Sequence, residues 1–145
     1  MKTNTIYLLS CFILVIISTI SCKTQSYNSS YYQSTSDKTA NGISTDKTYG
    51  YTQENPICVG NQNKMGGPLD EKSYLNSIKG PNGEDISYVR EGSCCPFKSK
   101  NGLMGSGLLD IYTINYAGLD EPITLYINMY DSDELEAPVG FTLAK

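Results

Sequence analysis

The stretch ITLYINMY, residues 123–130, alternates apolar and polar side chains without a break. Strict alternation over eight residues is typical of a β-strand with one buried face. Residues 108–116 give a second strand, and Ala117–Pro122 has the length and turn chemistry of a hairpin loop between the two. The centre of the fold is therefore predicted to be an antiparallel pair.

Shorter signals extend this pair into a domain. Strands are predicted at Pro56–Gly60, at Asp85–Glu91 and at Pro138–Leu143, and a helix at Pro68–Lys79, with proline at its first position and Gly80-Pro81 at its end. Gly92–Gly107 is predicted to be an irregular glycine-rich loop. The expected fold class is α+β: a small, mainly antiparallel sheet of four to five strands with one packed helix, in a single domain over residues 51–145.

The N-terminal segment has the layout of a lipoprotein signal peptide. Lys2 precedes the apolar run Ile6–Ile20, and Ser21 then precedes Cys22. Residues 1–21 are expected to be removed and Cys22 to be lipidated, so that the membrane becomes a partner through the lipid. Lys23, rather than an acid, follows the cysteine, which favours the outer membrane, on its periplasmic or its surface side.

Residues 22–50 are predicted to be the lipidated cysteine and a flexible polar tether. Serine, threonine, asparagine, glutamine, lysine and tyrosine dominate this stretch. Such a composition buries too little apolar surface to offset the chain entropy lost on folding.

Composition excludes several classes of site. The chain contains no histidine and carries a formal net charge of −4. Serine–histidine, cysteine–histidine and histidine–metal arrangements are therefore ruled out. Residues 120–136 contain six acids and no base, which argues against nucleic acid or an anionic membrane surface as a partner. No catalytic residue, cofactor or metal is predicted.

Several short motifs together resemble an uncharacterised family of small Gram-negative lipoproteins. They are Tyr49-Gly50-Tyr51-Thr52, Asn55-Pro56-Ile57, Gly92-Ser93-Cys94-Cys95-Pro96-Phe97, Leu109-Asp110-Ile111-Tyr112 and Pro138-Val139-Gly140-Phe141. Such sequences sometimes carry the label 2-dehydro-3-deoxyphosphooctonate aldolase. Aldolases of that kind are barrels of about 250 residues. A domain of about 95 residues with one helix does not have room for that fold.

Three cysteines lie in the predicted domain, in a compartment where disulfides persist. Adjacent Cys94 and Cys95 are closer than the usual disulfide range, so a bond from Cys58 to one of them is preferred. The alternative is functional: Cys94 and Cys95 form a redox couple or a soft-metal site, with Arg90, Lys98 and Lys100 as cations that would lower a thiol pKa.

Four tyrosines are candidates for a binding surface. Tyr112, Tyr116, Tyr126 and Tyr130 are predicted to share one sheet face, because both strands alternate with period two. An exposed tyrosine face would suit a carbohydrate or a protein. Alternatively, the helix covers that face and the tyrosines belong to the core.

Two further segments are given ordinary structural interpretations. The acidic segment 131–136 is interpreted as a solvated turn rather than a calcium loop, and 102–107 as a loop rather than a phosphate site. The functional hypothesis is a non-catalytic envelope lipoprotein that binds a protein or glycan. The alternative is a thiol-dependent redox enzyme that uses Cys94 and Cys95.

Overall fold

A computed structural model describes residues 38–61 and 66–145. They belong to one compact unit, Ser34–Lys145. One helix and eight strands follow in chain order: β1 Gly42–Ile43, β2 Ile57–Cys58, α1 Pro68–Asn76, β3 Ile78–Lys79, β4 Ile86–Leu103, β5 Ser106–Tyr116, β6 Ile123–Asn128, β7 Glu136–Ala137 and β8 Thr142–Leu143.

The central sheet has four strands in the order β2-β6-β5-β4. β4, β5 and β6 pair antiparallel, whereas β2 pairs parallel to β6. The α+β class is thus confirmed, but the sheet is mixed. The long stretch of chain between β2 and β6, which includes α1 and the β4–β5 hairpin, allows the parallel pairing, because parallel neighbours need a long crossover.

Two small two-stranded pairs complete the fold. β1 runs parallel to β7, and β3 runs antiparallel to β8. The first pair corrects the predicted end of the tether at Gly50, since β1 precedes that residue. Composition did not reveal this, because backbone pairing with β7 needs few apolar side chains.

The helix ends earlier than its sequence pattern indicates. α1 stops at Asn76, and Ile78 and Lys79 form β3 instead of a last helical turn. Ser77 explains the stop: its Oγ donates to the Tyr74 carbonyl at 2.7 Å and accepts from the Ala40 backbone N–H at 2.9 Å. A serine that bonds the local backbone in this way competes with helix continuation.

The glycine-rich segment 92–107 is strand rather than irregular loop, which corrects the prediction made for it. β4 runs to Leu103 and turns into β5 through Met104 and Gly105, whose φ angles are 53° and 79°. Two consecutive positive φ values match the type I′ turn, whose twist suits a β-hairpin.

The main core lies on one face of the central sheet, called here the inner face. Buried strand residues on this face pack against Tyr74 and Leu75 of α1. They are Ile57, Tyr112, Ile114, Leu125 and Ile127. The other side of the sheet is called the outer face.

Replacing Gly50 by alanine tests whether the segment before Tyr51 folds with the domain. A Cβ at this position would lie 2.8 Å from Ile57 Cδ1, and the backbone φ is +79°. Gly118 has a similar φ of +86° but no atom within 4 Å of such a Cβ. We expect Gly118→Ala to cost about 1–2 kcal/mol and Gly50→Ala to cost roughly 1–3 kcal/mol more in chemical denaturation. Equal costs would contradict the packing described for Gly50.

Candidate functional site

The edge strand β4 carries two one-residue bulges opposite β5, and a third, larger register shift lies between Lys98 and Leu103, near the turn. Arg90 pairs with Tyr112 and Gly92 with Ile111, which leaves Glu91 as an extra residue. A second register shift between Cys94 and Pro96 makes Cys95 the other extra residue. Each added residue reverses the face to which the following side chains point. The bulges therefore decide what each face of the sheet presents.

On the inner face, the first bulge brings Arg90 and Ser93 together over Asp110. The guanidinium binds the carboxylate in a bidentate manner, with Nε to Oδ2 at 2.6 Å and Nη2 to Oδ1 at 2.7 Å. Ser93 Oγ donates to Oδ1 at 2.7 Å. None of the Asp110 surface is exposed to solvent. These charge-assisted bonds compensate the cost of burying its charge.

Glu71 of α1 completes this buried polar cluster from the helix. Tyr112 Oη donates to Glu71 Oε2 at 2.8 Å, while Oε1 is buried with no hydrogen-bond partner. Burial raises the pKa of Glu71 to about 8, and the charge of Asp110 and a hydrogen bond with it raise this pKa further. A protonated Glu71 can donate to Asp110, which explains why its second oxygen lacks a donor.

This cluster stabilises the fold and does not contact solvent through its carboxylates. Asp110, Glu71 and Tyr112 are all buried where α1 meets the sheet. Sequence reasoning missed them as a group, although one signal was present. Asp110 lies between apolar Leu109 and Ile111 in a predicted strand, and an acid at such a position needs a partner.

The cysteines are paired differently from the preferred prediction. Cys94 and Cys95 form the disulfide, with Cα atoms 3.7 Å apart, and Cys58 is free. The predicted bond from Cys58 to this pair is therefore wrong. Cys58 lies on β2 and the pair on β4, at opposite edges of the sheet. Three strand spacings separate them, or about 14 Å.

The same separation argues against a metal site made of three thiols, because Cys58 lies too far from Cys94 and Cys95 to share one ion with them. Within residues 38–61 and 66–145, no group of three or more metal-ligating side chains comes together. Burial raises the pKa of Cys58 to about 11, which keeps this thiol protonated and unreactive at neutral pH. Arg90, a cation expected beside the cysteines, is instead bound to Asp110.

The four candidate tyrosines do not share a face, which corrects that prediction. Tyr112 pairs with Leu125, and Tyr126 pairs with Ile111, so Tyr112 lies on the inner face and Tyr126 on the outer face. Tyr116 contacts the core, with its ring edge-on to Phe141. Tyr130 follows β6 and packs edge-on against Phe97. Alternation was predicted correctly, but the register that relates two strands cannot be read from either strand alone.

The outer face is the more open side of the sheet. The central-sheet residues of the main core cluster lie on the inner face, although Leu109 and Asn128 are buried on the outer face. On the outer face, the register brings Val89 opposite Thr113, and Ile111 opposite both Gly92 and Tyr126. Val89 is 61% exposed, and Ile111, Thr113, Tyr126 and Cys94 are partly exposed. The arrangement is a small surface with an apolar centre, bordered by the disulfide.

The acidic segment begins with a carboxylate that already has three donors. Asp131 accepts from Ser99 Oγ at 2.7 Å and from the side-chain amides of Asn101 and Asn128 at 3.0 and 3.1 Å. Burial alone would raise the pKa of Asp131, but these hydrogen bonds outweigh it and hold the pKa below its usual value. Asp131 thus ties the β4 hairpin to the end of β6.

The residues that carry the targeting prediction lie outside the described part of the chain. These are the signal peptide, residues 1–21, the lipidation site Cys22, and the tether up to residue 37. Among the residues that are described, no helix is long and apolar enough to cross a membrane.

Comparison with known proteins found no similar protein. No protein-family model, no curated protein and no solved structure matches this chain. The functional interpretation therefore depends on the residues and geometry given above.

The raised pKa of Glu71 predicts the direction in which the stability of the fold changes with pH. Between about pH 4.5 and pH 8 the folded state holds a proton on Glu71 that the unfolded state has lost. Stability should therefore fall as pH rises through this window, by roughly 1.4 kcal/mol per unit at most. Glu71→Gln keeps a donor toward Asp110 and should flatten the slope, measured by urea unfolding at several pH values.

The matched control is Glu91→Gln. Glu91 is the exposed extra residue of the first bulge, so this variant should keep the wild-type slope. If Glu71→Gln keeps the wild-type slope as well, Glu71 is not the buried neutral acid described here.

Proposed function

We propose that this chain is a lipid-anchored envelope protein whose domain acts by binding a protein or a glycan on the outer face of its central sheet. The observation that carries the proposal is the open apolar centre formed by Val89, Ile111 and Tyr126. Exposed apolar side chains gathered at one place on a small domain mark a surface for interaction.

The chemistry of this face suits recognition. Tyr126 offers an aromatic ring with a polar tip, which can stack on a sugar or fill a gap in a protein partner. Thr113 and Thr124 pair across the strands and supply hydroxyl groups beside it. An apolar centre surrounded by hydroxyls is the usual anatomy of a binding patch.

The buried carboxylates favour binding over acid–base turnover. A general acid or base must come within hydrogen-bond reach of the substrate. Glu71, which has a pKa in a useful range, lies between α1 and the sheet with no exposed surface. Its carboxyl accepts from Tyr112 Oη in the core, out of reach of a substrate in solvent.

The anchor is proposed from the sequence. The apolar run Ile6–Ile20 and the Ser21-Cys22 pair support cleavage before Cys22 and attachment of lipid to its thiol. Lys23 supports sorting to the outer membrane. The compact unit starts at Ser34, close behind that cysteine in the chain.

A thiol–disulfide exchange activity is the second candidate, and the Cys94–Cys95 bond favours it. Both cysteines are partly exposed at the sheet edge, and Cys95 has a φ of 58°, a strained value for a residue other than glycine. In such a reaction a partner dithiol would be oxidised to a disulfide while the Cys94–Cys95 bond is reduced to two thiols. Oxidation of one equivalent of a model dithiol by wild type, and none by the double serine variant, would favour this candidate.

Lipidation should be visible as incorporation of labelled palmitate in expressing cells. Cys22→Ala should abolish the label, because the acceptor thiol is lost. Cys11→Ala is the matched control, since Cys11 lies inside the apolar run, and it should keep the label. Labelling that survives Cys22→Ala, or that depends on Cys11, would refute the proposed site.

Binding on the outer face should be sensitive to a charge placed at its centre. Val89→Lys should reduce capture of envelope proteins or glycans by the full-length protein about tenfold or more, because the lysine must be desolvated against apolar surface. Ile43→Lys is the matched control: Ile43 is also an exposed β-strand aliphatic, 50% exposed, but lies in β1 outside this face.

Capture can be measured by quantitative co-purification from cross-linked envelopes and by retention on isolated envelope glycans. Both variants should fold, since each changes a side chain already exposed. An equal loss in both variants, or no loss in Val89→Lys, would remove the outer face as the binding surface.

A further inference from the structure

The far end of the β4–β5 hairpin exposes apolar side chains that the fold does not use. Leu103 is 83% exposed and Met104 97% exposed, and Leu108 nearby on β5 is 43% exposed. These are three of the six large apolar side chains that are exposed in the described part of the chain. Leaving such side chains in water at a hairpin turn costs solubility, so their concentration at one tip points to a contact.

We propose that this tip, residues Leu103–Leu108, inserts into the surface of the lipid bilayer to which the chain is anchored. This inference rests on the proposed lipid anchor and deepens it: the lipid tethers the domain, and the tip orients it. Three apolar side chains alone give weak, reversible insertion, but a second contact adds to an anchor that already holds the domain near the membrane.

The charge along the hairpin suits an anionic lipid surface. Residues 97–109 contain Lys98 and Lys100 and no acid. Both lysines are exposed, and their long side chains can reach phosphate groups while the tip enters the acyl boundary. At the other end of β5, the loop 117–122 carries Asp120 and Glu121, which an anionic surface repels. The domain is therefore polarised along the hairpin.

The acidic segment 131–136 adjoins this end of the hairpin through Asp131. Asp131 is held by Ser99 and Asn101. Asp133 and Glu134 follow it in the chain, and the Asp133 backbone N–H donates to the Cys58 carbonyl on β2. Between residues 97 and 109, a range that includes Leu103, Met104 and Leu108, the charged side chains are Lys98 and Lys100.

The chain also enters the domain at the hairpin end. Lys38 Nζ donates to the Gly60 carbonyl at 2.8 Å and to Ser132 Oγ at 3.4 Å. Ser132 adjoins Asp131, whose carboxylate binds Ser99 and Asn101 of the hairpin. Cys22 precedes Lys38 by sixteen residues, a length that reaches about 55 Å at most. An anchor at Cys22 therefore allows this end of the domain to reach the bilayer.

The absence of tryptophan from the chain permits a direct test. In the full-length protein, Met104→Trp places a single fluorophore at the tip. Leu119→Trp is the matched control, since it places the same fluorophore in the loop at the opposite end of β5, about 33 Å away. Each variant is reconstituted with vesicles of phosphatidylethanolamine and phosphatidylglycerol, with or without bromine on the acyl chains.

We expect a blue-shifted emission at position 104 and several-fold stronger quenching by brominated lipid than at position 119. Leu103→Asp in the Met104→Trp background should reduce that quenching several-fold, because a carboxylate opposes insertion. Circular dichroism checks that each variant is folded. No quenching at position 104, or equal quenching at both positions, would overturn the proposal.

Flotation of the same samples separates this inference from the anchor itself. A protein that floats with the vesicles but shows no quenching at position 104 keeps its anchor and refutes the tip contact. A protein that fails to float, yet shows quenching at position 104 when lipid is added in excess, refutes the anchor and supports the tip. The tip could instead contact a protein. In that case a cross-link between this chain and another envelope protein should be lost in Leu103→Asp, while brominated lipid does not quench the fluorophore at position 104. That result would show the lipid proposal to be wrong.

Discussion

Asp110 is a charged side chain on the central strand β5 with no exposed surface. The surrounding residues are arranged so that they offset the free-energy cost of burying its charge. An isolated buried carboxylate would cost several kcal/mol. Arg90 supplies a bidentate ion pair and Ser93 a further donor. Both reach the same face only because one extra residue, Glu91, bulges out of β4 between them. Glu71 approaches from the helix side; burial raises its pKa to about 8, and the charge of Asp110 adds to this rise.

The second bulge places part of the disulfide on the outer face. It takes up Cys95 and leaves Cys94 opposite Leu109 on the outer face. Bulges and a proline at position 96 also make β4 a poor template for pairing with another strand, which protects an otherwise long edge. A partner is therefore expected to contact side chains on the outer face, and the apolar tip is left for a different contact. β4 thus contributes to both proposed surfaces, with Val89 on the outer face and Leu103 at the tip.

The sequence allowed the strands β5 and β6, their hairpin loop and the start of the helix to be predicted, because each has a strong local period or cap. The parallel position of β2, the pairing of β1 with β7 and the relative register of Tyr112 and Tyr126 depend on long-range pairing and were not predictable from local pattern. The disulfide was predicted wrongly because the distance between Cys58 and the pair depends on strand order. The buried cluster around Asp110 was missed because its members lie on three separate elements.

A double-mutant cycle between Arg90 and Asp110 tests the central claim most directly, namely that the buried carboxylate holds the bulged strand in place. Arg90→Met and Asp110→Asn keep much of the volume of each side chain while removing its charge. Equilibrium unfolding of wild type, both single variants and the double variant gives the coupling energy. We expect a coupling of about 2–4 kcal/mol. The stability losses of the two single variants, added together, should exceed the loss of the double variant by that amount. A coupling below about 0.5 kcal/mol, the level at which independent sites add, would contradict the account.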